Sequence, residues 1–291
     1  MLAPALALAL LGCGSADDRP APARVANAAA ARVDRFDADR AWSLIKLQLH
    51  SGQRPAGSPQ LRALATKLRP RLPGGRFEAI PGDPSLRNVV GSLPGSGPPI
   101  VVGAHYDTLA KPNGFVGANN GAAGSAIVIE AARALRRVKR PRGAPPLRFV
   151  LFDGEEPPQG LPEEQSDFYD SGLRGSRAYV NAHPRARAMI LLDYVANKNL
   201  RLPREGTSDR AVWARVRAAA RRVGASWAFP AGTGAGITDD HSPFERAGVP
   251  AVDMIDWSYP GHSLSDGLDK LSRRSADAVG ETVVELLRTW R

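Results

Sequence analysis

Apolar and polar positions along the chain alternate between two kinds of segment. Residues 36–50, FDADRAWSLIKLQLH, place apolar side chains at helical spacing, with Asp37 or Asp39 near the start. A turn-rich loop, GQRPAGSP, follows at 52–59, and the pattern predicts a second helix over 59–72. Helical spacing returns at 122–138, 174–182, 208–223 and 268–290. Between these lie short, continuously apolar runs at 88–93, 99–104, 147–152, 188–195 and 251–255, each with strand character. Strands that are apolar on both faces must be covered on both faces, which argues for parallel pairing with helices above and below. The expected fold class is α/β: a three-layer α/β/α sandwich with a mixed, mainly parallel central sheet.

The polar residues that follow the strands narrow the chemistry. His105-Tyr106-Asp107 comes after 99–104, Asp153-Gly154-Glu155-Glu156 after 147–152, Asp193 near the end of 188–195, and His262 after 251–255. In sheets of this class ligands bind beyond the carboxyl ends of the strands. Residues that bind metals or move protons thus collect at the one edge where a site is expected. His, Asp and Glu without Cys suit zinc or a similar divalent ion. Of two adjacent glutamates, one can hold a metal while the other acts as a general base. On an extended strand end their side chains are expected to point opposite ways. Each residue alone has a plainer reading: His105 as a core histidine, Asp107 and Asp153 as turn braces, Asp193 as a helix cap, and Asp240 and His241 as the start of a helix. His50 and His183 lie outside any motif and read as surface residues.

Composition sets the limits. The chain has 291 residues, 43% of them hydrophobic, and no internal repeat, so a single domain over 35–291 is plausible. The net charge of +10 is mostly arginine and is scattered. Its densest run, 133-RALRRVKRPR-142, closes a predicted helix, where cations favour the helix dipole. Nucleic acid is therefore not an expected partner. Residues 1–13 are apolar, too short to span a bilayer, and end in Leu-Leu-Gly-Cys. They resemble a bacterial lipoprotein signal, with Cys13 as the lipidation point. Residues 14–34 are small, polar and rich in Pro and Ala, and read as a flexible tether. The expectation is an exported chain, lipid-anchored on the outer side of the cytoplasmic membrane or secreted.

Taken together, HYD (105–107), GANNGAAG (117–124), DGEE (153–156), LLD (191–193), DDHSPFERAGVP (239–250) and His262 resemble the zinc aminopeptidase family that includes the bacterial leucyl aminopeptidases. FDADRAW (36–42), GQRPAGS (52–58), YDSGLRGSRAY (169–179) and the DDHSPF form are similar to its glutaminyl-peptide cyclotransferase branch. The resemblance covers about residues 35–291. It implies an enzyme acting on free peptide N-termini, with Glu155 as general acid/base and Glu156 and His262 as zinc ligands. It implies that His105 and Asp193 hold a second zinc in the aminopeptidases, whereas in the cyclases Asp193 joins a hydrogen-bond network with Asp239.

Two positions depart from the family pattern. Asn120 stands where the family has an aspartate that bridges two metal ions. A neutral amide offers one uncharged carbonyl oxygen, whereas a bridging carboxylate offsets the repulsion of two nearby cations. One zinc, held by Asn120, Glu156 and His262, is therefore expected rather than two. That favours cyclisation over two-metal hydrolysis and keeps open a peptide-binding protein without activity. The cyclase branch usually has Trp immediately before the zinc His; here Gly261 takes that place, and Trp257 lies four residues earlier.

Overall fold

The computed structural model describes Met1, residues 35–158 and residues 168–291. Cys13 and the proposed tether lie outside the described residues. Eight helices and six strands are found among those described. They are α1 (Ala38–Leu49), α2 (Pro59–Leu68), β1 (Arg76–Ile80), β2 (Asp83–Leu93), β3 (Ile100–His105), α3 (Gly124–Leu135), β4 (Leu147–Phe152), α4 (Phe168–Ser171), α5 (Arg174–Ala182), β5 (Ala188–Asp193), α6 (Arg210–Arg222), α7 (Ser242–Arg246), β6 (Ala251–Ile255) and α8 (Arg273–Thr289). None of these helices is long and apolar enough to cross a membrane.

The strands form one sheet in the order β1-β2-β4-β3-β5-β6. β4, β3, β5 and β6 run parallel to one another, while β2 lies antiparallel to both β1 and β4. The sheet is thus mixed and mainly parallel, as the apolar runs imply. β1 is an addition to the five expected strands. Its sequence, RFEAI, is only partly covered, so it lacks the continuous apolar run that marks the others.

Alternation along the strands divides the core. Val89, Val102, Phe149, Ile190 and Val252 face one side and pack with α1, α3, α6 and α8. Val101, Val150, Met189 and Leu191 face the other and pack with Tyr179 of α5 and Phe244 of α7. Helix starts follow local chemistry. Asp37, Ser58 and Asp209 accept hydrogen bonds from Arg40 N, Leu61 N and Val212 N at 3.0, 3.1 and 2.8 Å. The DDH segment behaves differently. Its expected cap at Asp240 does not form, because α7 begins after His241 with no side-chain cap; the Ser242 hydroxyl turns back to accept from Asp239 N at 3.2 Å instead.

α3 starts six residues later than a continuous helix from the strand loop would. A wide turn over Ala118–Ala123 precedes it, broken at Asn120 (φ −77°, ψ 103°) and Gly121 (φ 85°, ψ −40°). The break swings Asn120 out of helical register towards the carboxyl edge of the sheet. At Gly121 a β-carbon would stand 2.5 Å from the Asp107 carbonyl oxygen, so glycine is required there on both counts.

Candidate active site

The carboxyl ends of β3, β4 and β5 place His105, the Glu155-Glu156 pair and Asp193 side by side. His105 Nδ1 lies 3.5 Å from Asp107 Oδ1 and 3.6 Å from Glu155 Oε2. Its Nε2 lies 3.5 Å from Asp193 Oδ1. His105, Glu155 and Glu156 each offer a ligand atom, all within 4.8 Å of one another. The adjacent glutamates therefore converge, against the expectation for a strand end. The reason is local: the strand stops at Phe152, and Gly154 adopts a left-handed conformation at φ 74°. Asp107 fixes the resulting turn, its two oxygens accepting from Glu155 N and Glu156 N at 3.4 and 3.2 Å. Asp153 braces the neighbouring strand by accepting from Arg87 N at 2.9 Å.

Asn120 and His262 approach from the other side. Asn120 Nδ2 donates to Glu156 Oε1 at 2.9 Å, and His262 Nε2 lies 3.9 Å from the same oxygen. His262 is 38% exposed at the side chain, while Glu156 is buried. Asp239 lies buried beside Asp193, and Asp240 follows it into the interior. The structure thus gathers His105, Asn120, Glu155, Glu156, Asp193, Asp239 and His262 into one site. His50 and His183 are exposed; His183 pairs with Glu78 at 3.1 Å.

Electrostatics at the site is dominated by crowded, buried carboxyls. Burial, then the neighbouring Glu156, pushes the Glu155 carboxyl well above the usual range against the opposing pull of His105. Burial raises Glu156 to about 8, although His105 and the Asn120 hydrogen bond act against it. Burial, then Asp193 and Asp240, raises Asp239 well above its ordinary value. His105 is raised despite burial, because Glu155, Asp107 and Asp193 surround it. Both ring nitrogens of His105 and Oε2 of Glu156 are buried without a hydrogen-bond partner. Unpaired buried polar atoms are costly, and so is an excess of buried carboxyls over cations. A divalent cation among them would satisfy the unpaired atoms and let the carboxyls ionise. The donor set, imidazole and carboxylate oxygen without thiolate, fits zinc.

Two supporting residues were not among the candidate site residues. Asp266 accepts from Asn119 N and Asn120 N at 2.9 and 3.0 Å, and from the Tyr259 hydroxyl at 2.6 Å. It ties the segment that bears His262 to the turn that bears Asn120. Arg54 is fully buried and donates to the carbonyls of Tyr106, Val116 and Gly117, which holds the same turn from below. Burial lowers the Arg54 guanidinium to about 10, with Asp107 and Asp266 opposing. The HSLSD and GQRP stretches were the only sequence signals for these two residues.

The site opens into a cavity of about 470 Å³, whose walls include Asn120, Glu155, Tyr194, Ile237, Trp257 and His262. A larger open groove of about 670 Å³ lies between α1 and α3 and contains none of the clustered site groups. Of these two, the smaller cavity holds the groups gathered at the strand ends, which makes it the candidate site.

Comparison with known proteins agrees on family. The model for peptidase family M28 matches residues 88–287. Bovine glutaminyl-peptide cyclotransferase is 28% identical over 228 residues, covering 66% of this chain and 63% of that protein. The chain therefore spans less than two thirds of the length of that relative. A leucine aminopeptidase precursor from Bacteroides thetaiotaomicron superposes with a TM-score of 0.76 at 27% identity, covering 88% of this chain and 98% of the other. A glutaminyl cyclase from Porphyromonas gingivalis gives 0.74 at 27% identity, covering 87% and 98%.

Proposed function

This chain belongs to peptidase family M28, and we propose that it acts on free peptide N-termini as a one-zinc, glutaminyl-peptide cyclotransferase-like enzyme. The observation that carries this reading is Asn120. A neutral amide, hydrogen-bonded to Glu156 at 2.9 Å, stands where two-metal chemistry wants a shared carboxylate. Glu156, His262 and Asn120 would hold the ion. Bound there, zinc supplies Lewis-acid polarisation of an amide carbonyl.

The chain's own residues account for the proton traffic. In cyclisation the α-amine of an N-terminal Gln attacks its own side-chain amide carbon. One C–N bond forms, the bond to the leaving nitrogen breaks, and ammonia departs with the proton that the amine loses. Glu155 is placed to carry that proton. It lines the cavity, lies 3.6 Å from His105, and has a raised pKa that suits a group alternating between base and acid. Asp193 and Asp239, both buried at the site, would present hydrogen-bonding oxygens to the substrate amine. The cavity of about 470 Å³, walled in part by Tyr194 and Trp257, would receive the terminal residue.

A second reading, zinc aminopeptidase, draws on a different pair. His105 and Asp193, 3.5 Å apart, are the further ligands that a second ion would use. Glu155 would then take a proton from water attacking the first peptide bond. Two measurements separate the readings: zinc per chain by elemental analysis, and paired assays of the zinc-loaded protein. Ammonia release from Gln-peptides with about one zinc supports cyclisation. New amino termini from Leu-peptides with about two zinc ions per chain would replace it with hydrolysis.

A further inference from the structure

Tyr194 immediately follows Asp193 and occupies a position that is difficult for a tyrosine. Its backbone is left-handed, at φ 47°, a region in which bulky residues are rare. Its backbone N–H donates to Asp193 Oδ1 at 2.9 Å. The conformation turns the ring back over the site, where the residue is 3% exposed. Trp257 stacks against it at 6.2 Å with planes 16° apart, Tyr259 lies at 5.8 Å, and the His262 ring meets its edge at 6.4 Å.

Gly261 makes room for this ring. A β-carbon on Gly261 would stand 2.3 Å from Tyr194 Cζ and 2.5 Å from its hydroxyl oxygen. The glycine just before His262 and the tyrosine just after Asp193 are thus two halves of one arrangement: any side chain at 261 and the phenol of Tyr194 would claim the same space. A ring that only filled the gap would need no hydroxyl. Yet the hydroxyl is present, and none of the described residues accepts from it. The hydroxyl is thus available to a ligand that enters the cavity Tyr194 lines.

The cavity that Tyr194 lines carries the carboxyls of Glu155, Asp193 and Asp239 beside the side-chain donors of Thr238, Trp257 and His262, and its Asn120 amide is already tied to Glu156. Attack on an amide carbon loads negative charge onto the amide oxygen, and carboxylates cannot stabilise that charge. A neutral hydroxyl can, when it is positioned before the reaction starts.

We propose that the Tyr194 hydroxyl is a catalytic hydrogen-bond donor to the oxygen of the amide under attack in the substrate's terminal residue. This rests on the reading that the cavity takes a terminal residue with its amide, and it holds for cyclisation and for peptide-bond cleavage alike, because each charges the oxygen of the amide it attacks: the side-chain amide in the first, the first peptide bond in the second.

The test uses the zinc-loaded protein, its Tyr194→Phe and Gly261→Ala variants, and two ligands followed by calorimetry. One ligand is an aminophosphinic dipeptide analogue, whose oxygens mimic the charged amide oxygen. The other is the matching alkylamine, which lacks that oxygen. Tyr194→Phe is expected to lower kcat about 100-fold on whichever peptide is turned over, with KM changed less than threefold. It should weaken the phosphinic ligand at least tenfold, leave the alkylamine unchanged, and keep the melting temperature of the parent. Gly261→Ala should show the same loss, because the methyl group displaces the ring. Equal kcat and equal phosphinic affinity in Tyr194→Phe would overturn the donor role and leave the proposed function standing. A parent protein that binds neither ligand and turns over neither peptide would overturn both.

Discussion

Asn120 gives its side-chain N–H to Glu156 Oε1 at 2.9 Å, so the residue that departs from the metal-bridging pattern is bonded to the candidate ligand beside it. The exchange Asn120→Asp should therefore act in opposite directions with and without zinc. Without the ion, two carboxyls at this distance cannot both ionise, and one donor is lost. Chelator-treated protein is expected to lose about 1–3 kcal/mol of stability. With the ion, the added anion offsets cationic charge, and zinc affinity should rise at least tenfold. Melting curves in chelator and zinc titrations measure both. A variant stabilised under both conditions would show that Asn120 does not face a metal.

Asp266 should matter as much as any residue in the motifs. It is 147 residues distant in sequence from Asn119, yet its carboxylate accepts the backbone N–H groups of both Asn119 and Asn120. Asp266→Ala leaves two buried donors unpaired and frees the segment carrying His262. The expected cost is about 2–4 kcal/mol of stability, together with a 10–100-fold loss of zinc affinity of the kind seen when residues that orient ligands are removed. Asp266→Asn retains one acceptor oxygen and should fall in between. Zinc affinity equal to the parent's in the alanine variant would remove Asp266 from the site's support.

These two residues also mark the limit of what the chain reveals before folding. Strands β2 to β6 were legible because burial on both faces forces continuous apolar runs. The edge strand β1, RFEAI, has no such constraint and was not. The gathering of His105, Glu155, Asp193 and His262 was legible because each lies just after a strand whose carboxyl end points to one edge. The convergence of Glu155 and Glu156 was not, because it depends on the left-handed turn at Gly154. The roles of Asp266, Arg54 and Tyr194 depend on partners far away in sequence, which periodicity and local spacing do not encode. The pairing of Tyr194 with Gly261 shows this well: the missing side chain at 261 is visible in the sequence, but the ring that fills its place is not.

His241 should make the protein acid-sensitive. It is fully buried, with Nε2 3.1 Å from the Thr207 hydroxyl and Glu205, Glu245 and Asp253 between 3.6 and 3.9 Å away. Burial lowers its pKa to about 4, with Glu205 opposing. The folded value lies below the unfolded value of about 6.5, so the unfolded chain binds the extra proton first. Its contribution to stability is complete above about pH 6.5 and falls as pH drops towards 4, by roughly 3 kcal/mol over that window. His241→Asn lacks the titration. The difference between parent and variant in urea unfolding energy should therefore change by roughly that amount between pH 7 and pH 4, in the direction of a relatively more stable variant at low pH. A difference independent of pH would mean that burial does not lower the His241 pKa below its unfolded value.

Gly124→Ala tests whether the sheet fixes the helix that carries the site's turn. By helix propensity alone, alanine in place of glycine in α3 should stabilise by about 1 kcal/mol. The packing predicts the opposite. A β-carbon at Gly124 would stand 2.2 Å from the Leu192 carbonyl oxygen and 3.0 Å from Ala104 Cβ, and neither is the movable end of a long side chain. α3 would have to lift from β5, at an expected cost of about 1–3 kcal/mol. Because Gly124 follows the turn holding Asn120 by only four residues, the same displacement should also loosen zinc binding. Equilibrium unfolding of the metal-free protein isolates the first effect, and zinc titration the second. A stabilised variant would mean that α3 can move away from β5 without penalty, and the tight seating inferred for the Asn120 turn would fall with it.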